Sequence, residues 1–389
     1  MFPAVCLLIS SELELFCLLF FGNNYQTLSE FIMKDLAFIK YESYTLSQGN
    51  RLFQSRAEID LYLYLSVIRD SALDMSFFAE NPAVVKDAIC ELKHPCENRV
   101  LDRKRSRVLN VLGKGLERNG NMDLALKAYS HSNLAPARER VIRILKRLGD
   151  HEGVIDVATR IVNSPHNELE KRYALKALGK KLLKRDIPVT EMTLDQSPLE
   201  GIEKHALHML GQKNCIGWHL ENQFSTGIFA LAYWDWIYAN VPGAFTNPFQ
   251  SGPVDLFWPD FFDVRKAVYN DPLDSIIPIG HTLLKTYANK KGTANQLISW
   301  NKLTKEVLTQ SVRCISENTL RDLVTIIRSD FNQFRTGFPD LVLFYQSGKY
   351  EFVEVKGPSD RVQPNQYLWM EIMLKKNIPV RILRFVHPE

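Results

Sequence analysis

The sequence lacks the cysteine pattern of a secreted or zinc-stapled protein. Its six cysteines are spread along 389 residues without a CxxC pair, which argues against a disulfide scaffold and a zinc ribbon. Cys90, His94 and Cys96 lie close together, but a zinc site needs about four ligands and a second half is missing. We therefore expect a reducing compartment and no structural zinc.

The N-terminus lacks a secretion signal and a membrane span. No Lys or Arg precedes its apolar run, and Glu12 and Glu14 interrupt that run well short of the roughly 18 residues that cross a bilayer. Ser10 or Ser11 can instead cap a helix that stops at Gly22. We expect a core helix and no membrane partner. Its abrupt start predicts a fragment or short form of a longer protein.

A strong net charge is also absent. The formal charge is +4, and the content of 46% hydrophobic, 11% aromatic and 24% charged residues is typical of a globular protein without long disorder. A chain of 389 residues is too long for one compact core, so we expect two or three domains. Any anionic partner must be inferred from where the basic residues lie.

The first half of the sequence has helical periodicity. From about residue 11 to 200, apolar residues recur at spacings of three and four. Residues 112–129 carry the offsets of a tetratricopeptide helix pair, and 149–158 echo them imperfectly. The first copy is defined by Leu112, Gly113, Leu116, Gly120, Ala125 and Tyr129. Two degenerate copies predict a small helical-repeat module.

Basic residues are concentrated in this module. Between Arg99 and Arg147 there are 13 basic and 4 acidic residues, a local excess of +9. Such a surface is a candidate phosphate-binding face, although a solvated helix surface would look the same. The residues that we predict to contact DNA here are Arg103, Arg105, Arg138, Arg140 and Arg143.

The periodicity changes toward the C-terminus. Residues 186–200 read as a linker, and a new domain is expected from near Ile202, with an aromatic-rich helix at about 224–238. In the last 50 or so residues, LVLFY and YEFVEV alternate as strands around a QSGK turn. Pro364 then opens a helix, and Val380 to Val386 form a final strand. The fold class is therefore α/β with a large all-α N-terminal part.

The predicted hairpin carries a candidate metal site. Side chains two apart in a strand point to one face, so Glu354 and Lys356 project together while the hairpin brings Asp340 alongside. The two carboxylates and the Val355 carbonyl can hold Mg²⁺ or Mn²⁺. The Lys356 ammonium can orient a water or stabilise charge on a phosphate. The alternative is an exposed ion pair worth under about 1 kcal/mol.

These strands carry a family resemblance. GFPDLVLF followed by EFVEVKGPSDRVQPNQ resembles the virus-type replication-repair nuclease module, VRR-NUC, and within it the Fanconi-associated nuclease family. Further similar stretches cover nearly the whole chain: LLFFGNN, IKYESY, RLFQSRAEIDLYL, LENQFSTGIFALAYWDWIY, VPGAFTNPFQSGPVDLFWPDFF and LISWNKL. The resemblance implies a PD-(D/E)xK restriction-endonuclease-like nuclease domain at 202–389. Ahead of it we expect a helical DNA-binding region at 1–98, incomplete at its N-terminus, and a TPR-like module at 99–195.

The resemblance also assigns roles to single residues. It implies metal binding by Asp340 and Glu354, a catalytic role for Lys356, and a further acidic ligand in Glu221. Without the resemblance, Glu221 is a carboxylate near a helix N-terminus, where the helix dipole favours it by about 0.3 to 1 kcal/mol.

Further roles concern the surroundings of the motif. Gln366 would point toward the same site and place the phosphate or water. Arg335, just before the motif, is predicted to contact a phosphate, with an ordinary surface arginine as the alternative. Some relatives carry a basic residue directly before the helix glutamine, where this chain has Asn365.

The function implied by the resemblance is a structure-selective, Mg²⁺- or Mn²⁺-dependent nuclease. It would cut flapped or branched DNA near 5′ flaps and 5′ ends in crosslink repair, alongside DNA-repair proteins. The alternatives are a branched-DNA or junction nuclease of other specificity and a non-catalytic DNA-binding scaffold, which would be free to lose the four site residues. The expected location is the cytoplasm or nucleoid of a bacterium, or the nucleus of a eukaryote, without secretion.

Overall fold

The structure, a computed structural model, describes residues 10–23, 26–36, 38–46, 51–181, 185–194, 201–211, 215–266 and 270–387. The helices are α1 (Ser10–Phe21), α2 (Ser29–Asp35), α3 (Arg56–Ser71), α4 (Ser76–Glu80), α5 (Pro82–Glu91), α6 (Arg99–Arg118), α7 (Met122–Ser130), α8 (Ala137–Leu148), α9 (His151–Asn163), α10 (Glu168–Ala177), α11 (Ile202–Gly211), α12 (Asn222–Ala232), α13 (Trp234–Ile237), α14 (Ile279–Lys290), α15 (Lys305–Cys314), α16 (Glu317–Ser329), α17 (Phe331–Phe334) and α18 (Pro364–Lys375). The strands are β1 (Val189–Thr193), β2 (Cys215–His219), β3 (Leu341–Tyr345), β4 (Tyr350–Lys356) and β5 (Val380–Val386). No helix in these ranges combines the length and apolar character needed to cross a membrane.

The chain divides into two compact units. Leu52–Leu183 form the helical unit, and Met1–Arg51 together with Lys184–Glu389 form the sheet unit. This division differs from the predicted segments, because the first part of the 1–98 region joins the sheet unit. Its aromatic residues pack there: Phe20, Phe21 and Phe31 around Phe249, and Tyr44 on Phe245. Such long-range contacts leave no signal in local periodicity.

The predicted N-terminal helix is present as α1. It ends at Phe21, and the next residue, Gly22, has a φ of 71°, a conformation that glycine adopts without strain. Leu18 is buried in the helix, whereas Leu19 is about half exposed. The predicted capping by Ser10 or Ser11 concerns side chains that lie outside the described residues.

The predicted helix pair over 112–129 is present as α6 and α7. The Asn98 side chain caps α6 by accepting the Val100 N–H at 3.0 Å, and the side chain of Asn121 accepts the N–H of Leu124 to cap α7. A Cβ atom at Gly113 would lie 2.7 Å from the Tyr129 ring. Glycine therefore allows the close approach of the two helices that the repeat pattern predicts.

The second part of the repeat pattern falls on α8 and α9. Gly149, with a φ of 76°, ends α8, and the Asp150 side chain then accepts the N–H of Gly153 at 2.9 Å to begin α9. A separate apolar cluster buries one face of each helix against α10 and includes Ile142, Val154, Ala158, Ile161 and Ala174.

The sheet unit is organised around five strands in the order β1-β5-β4-β3-β2. Strands β2, β3 and β4 are antiparallel neighbours, whereas β5 lies parallel to both β4 and β1. The predicted hairpin is confirmed as β3 and β4, the predicted helix begins at Pro364, and the final strand spans Val380–Val386. The predicted fold class, a large helical part followed by a mixed α/β domain, is likewise confirmed.

The prediction of a linker at residues 186–200 is wrong for its described part. Val189–Thr193 form the edge strand β1, and Pro188 and Leu194 on either side bond to β5 at 2.8 and 2.9 Å. The segment resembles a loop in sequence because an exposed edge strand needs no apolar alternation, and its pairing partner lies near the other end of the chain. Residues 195–200 are outside the described residues.

The two faces of the hairpin are covered by different helices. On one face, Leu343 and Val353 pack in a cluster with Ala206 and Leu210 of α11. On the other face, the Phe352 ring contacts Phe224 of α12, with ring centroids 5.6 Å apart. Because side chains alternate along a strand, Glu354 and Lys356 share the face of Phe352, as predicted.

Candidate active site

The backbone around Asp340 brings the two acidic residues of the motif together. Leu341 pairs with Val353 across the hairpin, and the same register extended by one residue sets Asp340 opposite Glu354. Oδ2 of Asp340 accepts the Val355 N–H at 2.9 Å. The predicted juxtaposition of the two carboxylates is therefore present in the structure.

Strand β2 holds Asp340 from the other side. The N–H groups of Leu220 and Glu221 both donate to the Asp340 carbonyl oxygen at 3.0 Å. Asp340 thus lies where β2 ends and β3 begins, bonded to residues that adjoin or belong to β2 and β4. This arrangement constrains the residue without using its second carboxylate oxygen.

Glu354 is a buried carboxylate that lacks a hydrogen bond. Its exposure is 0%, and neither side-chain oxygen accepts a hydrogen bond from the described residues. Lys356 Nζ lies 2.7 Å from Oε1 as an ion pair, and its positive charge is the one that opposes the rise in the pKa of Glu354. Burying a charged carboxylate with so little compensation is costly, so the site favours an additional cation.

The pKa values of Asp340 and Glu354 also indicate that the site has too little positive charge for its two carboxylates. Burial, the negative charge of Asp340 and that of Glu203 raise the pKa of Glu354 to about 7, although the Lys356 ammonium opposes the shift. Burial also raises the pKa of Asp340, against the opposing effects of the Val355 N–H and Lys356. A divalent cation between the two carboxylates would favour both charged forms.

The donor set fits Mg²⁺ or Mn²⁺. Within the described ranges, no three or more His, Cys, Asp or Glu side chains converge as a metal cage. Magnesium sites commonly use one or two carboxylates and leave other positions to water and substrate phosphate. Asp340 and Glu354, with the Val355 carbonyl, would supply the protein ligands, and these hard oxygen donors suit either ion.

Glu221 does not join the carboxylate pair in this structure. Its Oε1 lies 2.8 Å from His219 Nε2 and 3.7 Å from Lys302 Nζ. Glu221 is the N-cap residue of α12, although its side chain makes no capping hydrogen bond there, so the alternative of a carboxylate favoured by the helix dipole stays a prediction. Its φ of 50° is unusual outside glycine and implies local strain of about 1 to 3 kcal/mol. A ligand role for Glu221 stays a prediction.

Gln366 caps a helix. Its side-chain oxygen accepts the N–H of Gln363 at 2.9 Å, at the start of α18. Next to it, Asn365 Nδ2 donates to Thr336 Oγ1 at 2.8 Å. Gly337 has a φ of 87°, and a Cβ there would lie 2.9 Å from the Asn365 backbone. Asn365 thus joins α18 to the loop that leads to Asp340, while catalysis by Gln366 stays a prediction.

Arg335 lies on the surface at the start of this loop. Its side chain is exposed, and its Cζ atom lies 4.7 Å from the centroid of the Phe257 ring, a cation–π contact. The guanidinium is therefore accessible to a phosphate, and its predicted role as a DNA contact remains a prediction.

The predicted DNA contact by Arg105 is wrong. The residue is 1% exposed. Its Nε atom donates to Asp102 at 2.7 Å, and Nη1 donates to the carbonyl oxygens of Leu92 and His131 at 2.7 and 2.9 Å. Arg105 lies on the inner face of α6 beside Leu101 and Leu109. A count of basic residues along the sequence does not distinguish this face from the outer one, so it could not detect the burial. Arg105 is a core residue that ties α6 to neighbouring segments.

Arg138 is also engaged within the helical unit. It forms a bidentate pair with the fully buried Glu170, with distances of 2.9 and 2.6 Å, and donates to the Ser164 carbonyl oxygen at 3.0 Å. The side chain retains 26% exposure. Its main structural role is to join α8 to α10, so the predicted DNA contact would compete with these bonds.

The other three predicted arginines are more accessible. Arg103 is half-buried. Arg140 and Arg143 both pair with Glu117 and retain 28% and 48% exposure. Arg143 has the larger exposed fraction of the two and is the more accessible to a phosphate.

The residue-level predictions omitted three polar neighbours of the site. Glu203 lies half-buried in the first turn of α11, and its negative charge raises the pKa of both Asp340 and Glu354. His219 and Lys302 hold the Glu221 carboxylate. His219 directly precedes one of the stretches that carry the resemblance, and Lys302 lies within another. Nothing in the local sequence distinguishes Glu203 from other acidic residues near the start of a helix.

Comparisons with known proteins agree with this geometry. The VRR-NUC domain model matches residues 279–386. A relative from Pseudomonas aeruginosa, named Fanconi-associated nuclease 1 homolog, is 29% identical over 393 residues, covering 97% of this chain and 68% of the relative. A relative of the same name from Arabidopsis thaliana is 24% identical over 430 residues, covering 94% of this chain and 48% of the relative.

A solved structure is similar over nearly the whole chain. The crystal structure of paFAN1 bound to 2-nucleotide 5′-flap DNA with a gap matches with a TM-score of 0.86 and 27% identity, covering 98% of this chain and 71% of that one. The chain thus spans about two thirds of the bacterial relative and about half of the plant relative. The chain is thus similar over nearly its whole length to Fanconi-associated nucleases, and its C-terminal part matches the VRR-NUC domain.

Proposed function

We propose that this chain is a structure-selective DNA nuclease that depends on Mg²⁺ or Mn²⁺ and hydrolyses phosphodiester bonds near 5′ flaps and 5′ ends. The observation that carries the proposal is the half-buried Asp340 opposite the fully buried Glu354, with the Lys356 ammonium 2.7 Å from Glu354. The choice of substrate is supported by similar structures of paFAN1 bound to 5′-flap DNA with one- and two-nucleotide flaps.

The site residues divide the chemistry between them. Asp340, Glu354 and the Val355 carbonyl would hold the cation, which when bound supplies Lewis-acid stabilisation of phosphate charge. Lys356 is only 8% exposed, so its ammonium acts in a largely water-excluded place, where a fixed positive charge stabilises a developing negative charge most. We assign to Lys356 the stabilisation of the phosphorane or the orientation of the attacking water.

DNA is the proposed partner, and crosslink repair the proposed process, in the company of other repair proteins. Arg335 is a candidate phosphate contact near the site, because it is exposed at the start of the loop leading to Asp340. An enzyme of this kind would act where the genome lies, in the bacterial cytoplasm or nucleoid or in the eukaryotic nucleus.

The test is cleavage of labelled 5′-flap, 3′-flap, four-way junction and blunt duplex DNA with Mg²⁺, Mn²⁺ or EDTA. We expect cuts near the 5′ flap with either metal and none in EDTA. Preferential cutting of the junction would instead establish the alternative branched-DNA specificity, and no cleavage of any substrate would favour the non-catalytic scaffold.

A matched control lies on the same strand. Glu351 pairs with Arg381 at 3.1 Å toward the start of β4, so Glu351→Gln removes a carboxylate of β4 that is not part of the metal site. This variant should cleave like wild type, whereas Glu354→Gln should not. Equal loss in both would mean that the strand, and not the site, was damaged.

A further inference from the structure

The helical unit contains a basic cavity where α6 and α8 end. Its volume is about 710 Å³. Five basic side chains contribute to its lining: Lys114, Arg118, Arg140, Arg143 and Arg147. All lie within one compact unit, Leu52–Leu183. A concave surface with this charge is a candidate binding site for an anion.

One buried carboxylate organises part of the cavity. The Glu117 side chain is 10% exposed; it lies 3.4 Å from Arg140 Nη1 and 3.4 Å from the Tyr129 hydroxyl, and it also pairs with Arg143. These contacts hold the two arginines in place and use part of their charge. The cavity nevertheless retains four more positive than negative side chains.

Three of the cations are uncompensated. Lys114, Arg118 and Arg147 are exposed, and none has an ion-pair or hydrogen-bond partner in the described part of the chain. The helix dipole favours Arg118 and Arg147 because they lie in the last turns of α6 and α8. It does little for Lys114, which lies a turn earlier. The helix dipole therefore does not by itself account for the presence of all three cations in this cavity.

We propose that this cavity binds the phosphodiester backbone of nucleic acid and does not read its bases. The inference rests on the proposed function, in which DNA is the substrate. Four of the five cations are arginines, whose planar groups match phosphate oxygens. The lining, all of it within the described residues, contains neither an aromatic ring for base stacking nor an Asn or Gln amide for base edges.

The structure keeps only two of the predicted arginines, Arg140 and Arg143, in the lining of the cavity. Arg105 and Arg138 are engaged in the protein's own contacts, whereas Lys114, Arg118 and Arg147 were not among the predicted contacts. The phosphate-binding surface is therefore identified by which cations are exposed, and not by where cations are most frequent in the sequence.

The experiment compares two variants with the same change in charge. Lys114→Gln/Arg118→Gln/Arg147→Gln removes the uncompensated cations, and Lys86→Gln/Lys127→Gln/Lys176→Gln removes three exposed lysines of the same unit that do not line the cavity. Binding to labelled duplex and to single-stranded DNA of equal length is measured by anisotropy in EDTA over a range of salt concentrations. Melting curves check folding.

The expected result is a flatter salt dependence for the cavity variant alone. Loss of three phosphate contacts lowers the slope of log K against log salt by about 2.7 for duplex or about 2.1 for single-stranded DNA. The arm that shows this loss identifies which form of DNA occupies the cavity. If the triple variant does not fold, Arg118→Gln alone should lower the slope by about 0.9 or 0.7 in the same arm.

Two outcomes overturn the proposal: slopes equal to those of the control variant for both DNAs, or competition by polyglutamate as effective as that by DNA, which would indicate an acidic protein ligand. Cleavage by wild type with Mg²⁺ is measured separately. If wild type fails to cleave DNA but the cavity variant shows the reduced salt dependence of DNA binding, the proposed function is wrong and the proposed cavity site is supported. If wild type cleaves and the slopes match the control, the cavity site alone fails.

Discussion

The candidate active site and the basic cavity handle charge in opposite ways. At the hairpin, Glu354 is fully buried and its pKa is raised to about 7 by burial and by neighbouring carboxylates. In the cavity, the cations Lys114, Arg118 and Arg147 are exposed and keep their hydration. The first region therefore changes its charge with pH and with bound cations, whereas the second presents its cations directly to the solvent.

A similar contrast exists within one helix. Arg105 and Arg118 both belong to α6, yet Arg105 is buried and bonded on several sides, and Arg118 is exposed without a partner in the described residues. The difference teaches that a count of basic residues mixes core residues with surface residues.

The largest effect is expected from the carboxylate pair. Asp340→Asn and Glu354→Gln each keep side-chain volume but remove an anionic ligand, so cleavage of a 5′-flap substrate should fall to background. Both variants should still fold and melt in a cooperative transition, which separates loss of a metal ligand from loss of the fold. Single-turnover cleavage and a melting curve check this. Near wild-type cleavage by either variant would show that the site is misassigned.

Substitution of Arg105 should lower the free energy of unfolding much more than substitution of Arg118. Arg105→Met leaves Asp102 and two carbonyl oxygens without their buried donor, and breaking a buried ion pair costs about 3 to 5 kcal/mol. Arg118→Met should change stability by no more than about 0.5 kcal/mol, as for an exposed residue. Urea unfolding of the two variants measures the difference. Equal losses would contradict the assigned burial.

The metal-free site should make stability depend on pH. The pKa of Glu354 is about 7 in the folded state and near its ordinary value of 4.5 when unfolded. The folded state therefore binds more protons between these values, and stability falls as the pH rises from about 4.5 through about 7. The loss attributable to Glu354 is at most about 3 kcal/mol.

Glu354→Gln cannot titrate and should lack this part of the pH dependence. The measurement is the difference in unfolding free energy between wild type and Glu354→Gln in EDTA across pH 4.5 to 8. Wild type should lose stability relative to the variant as the pH rises. A constant difference, or one of opposite sign, would mean that Glu354 is not held at a raised pKa. Mn²⁺ should restore wild-type stability above pH 7, because it binds the charged form.

Lys356 should affect catalysis more than metal capture. Lys356→Ala should lower the single-turnover rate by about 10²-fold, as for loss of one preorganised electrostatic group, while calorimetry still detects Mn²⁺ binding. Lys356→Arg keeps the charge but not the compact ammonium, so it should remain poorly active. Loss of both Mn²⁺ and DNA binding in Lys356→Ala would instead show that the lysine holds the site together.

Local patterns in the sequence were sufficient for much of the fold and the centre of the site. Period-two alternation predicted β3 and β4, Pro364 marked the start of α18, and the register of a short hairpin brought Asp340 opposite Glu354. These features depend on residues close together in the chain. Their outcome is set by backbone geometry and hydrogen bonding over a few residues.

Other features depended on contacts between distant parts of the chain. Strand β1 exists because it pairs with β5, and the N-terminal aromatic residues join the sheet unit by packing around Phe249. The direction of the Glu221 carboxylate depends on His219 and Lys302.

The sequence by itself therefore determined which residues can carry the chemistry: the two motif carboxylates, the lysine between strand and loop, and an excess of cations over 99–147. Only the tertiary structure decided which of those charges are buried and which meet solvent. The physical reason is that the free energy of a charge depends on its surroundings, since desolvation and neighbouring charges act through space and not along the chain. Arg105 and Arg118, thirteen residues apart in one helix, differ for this reason alone.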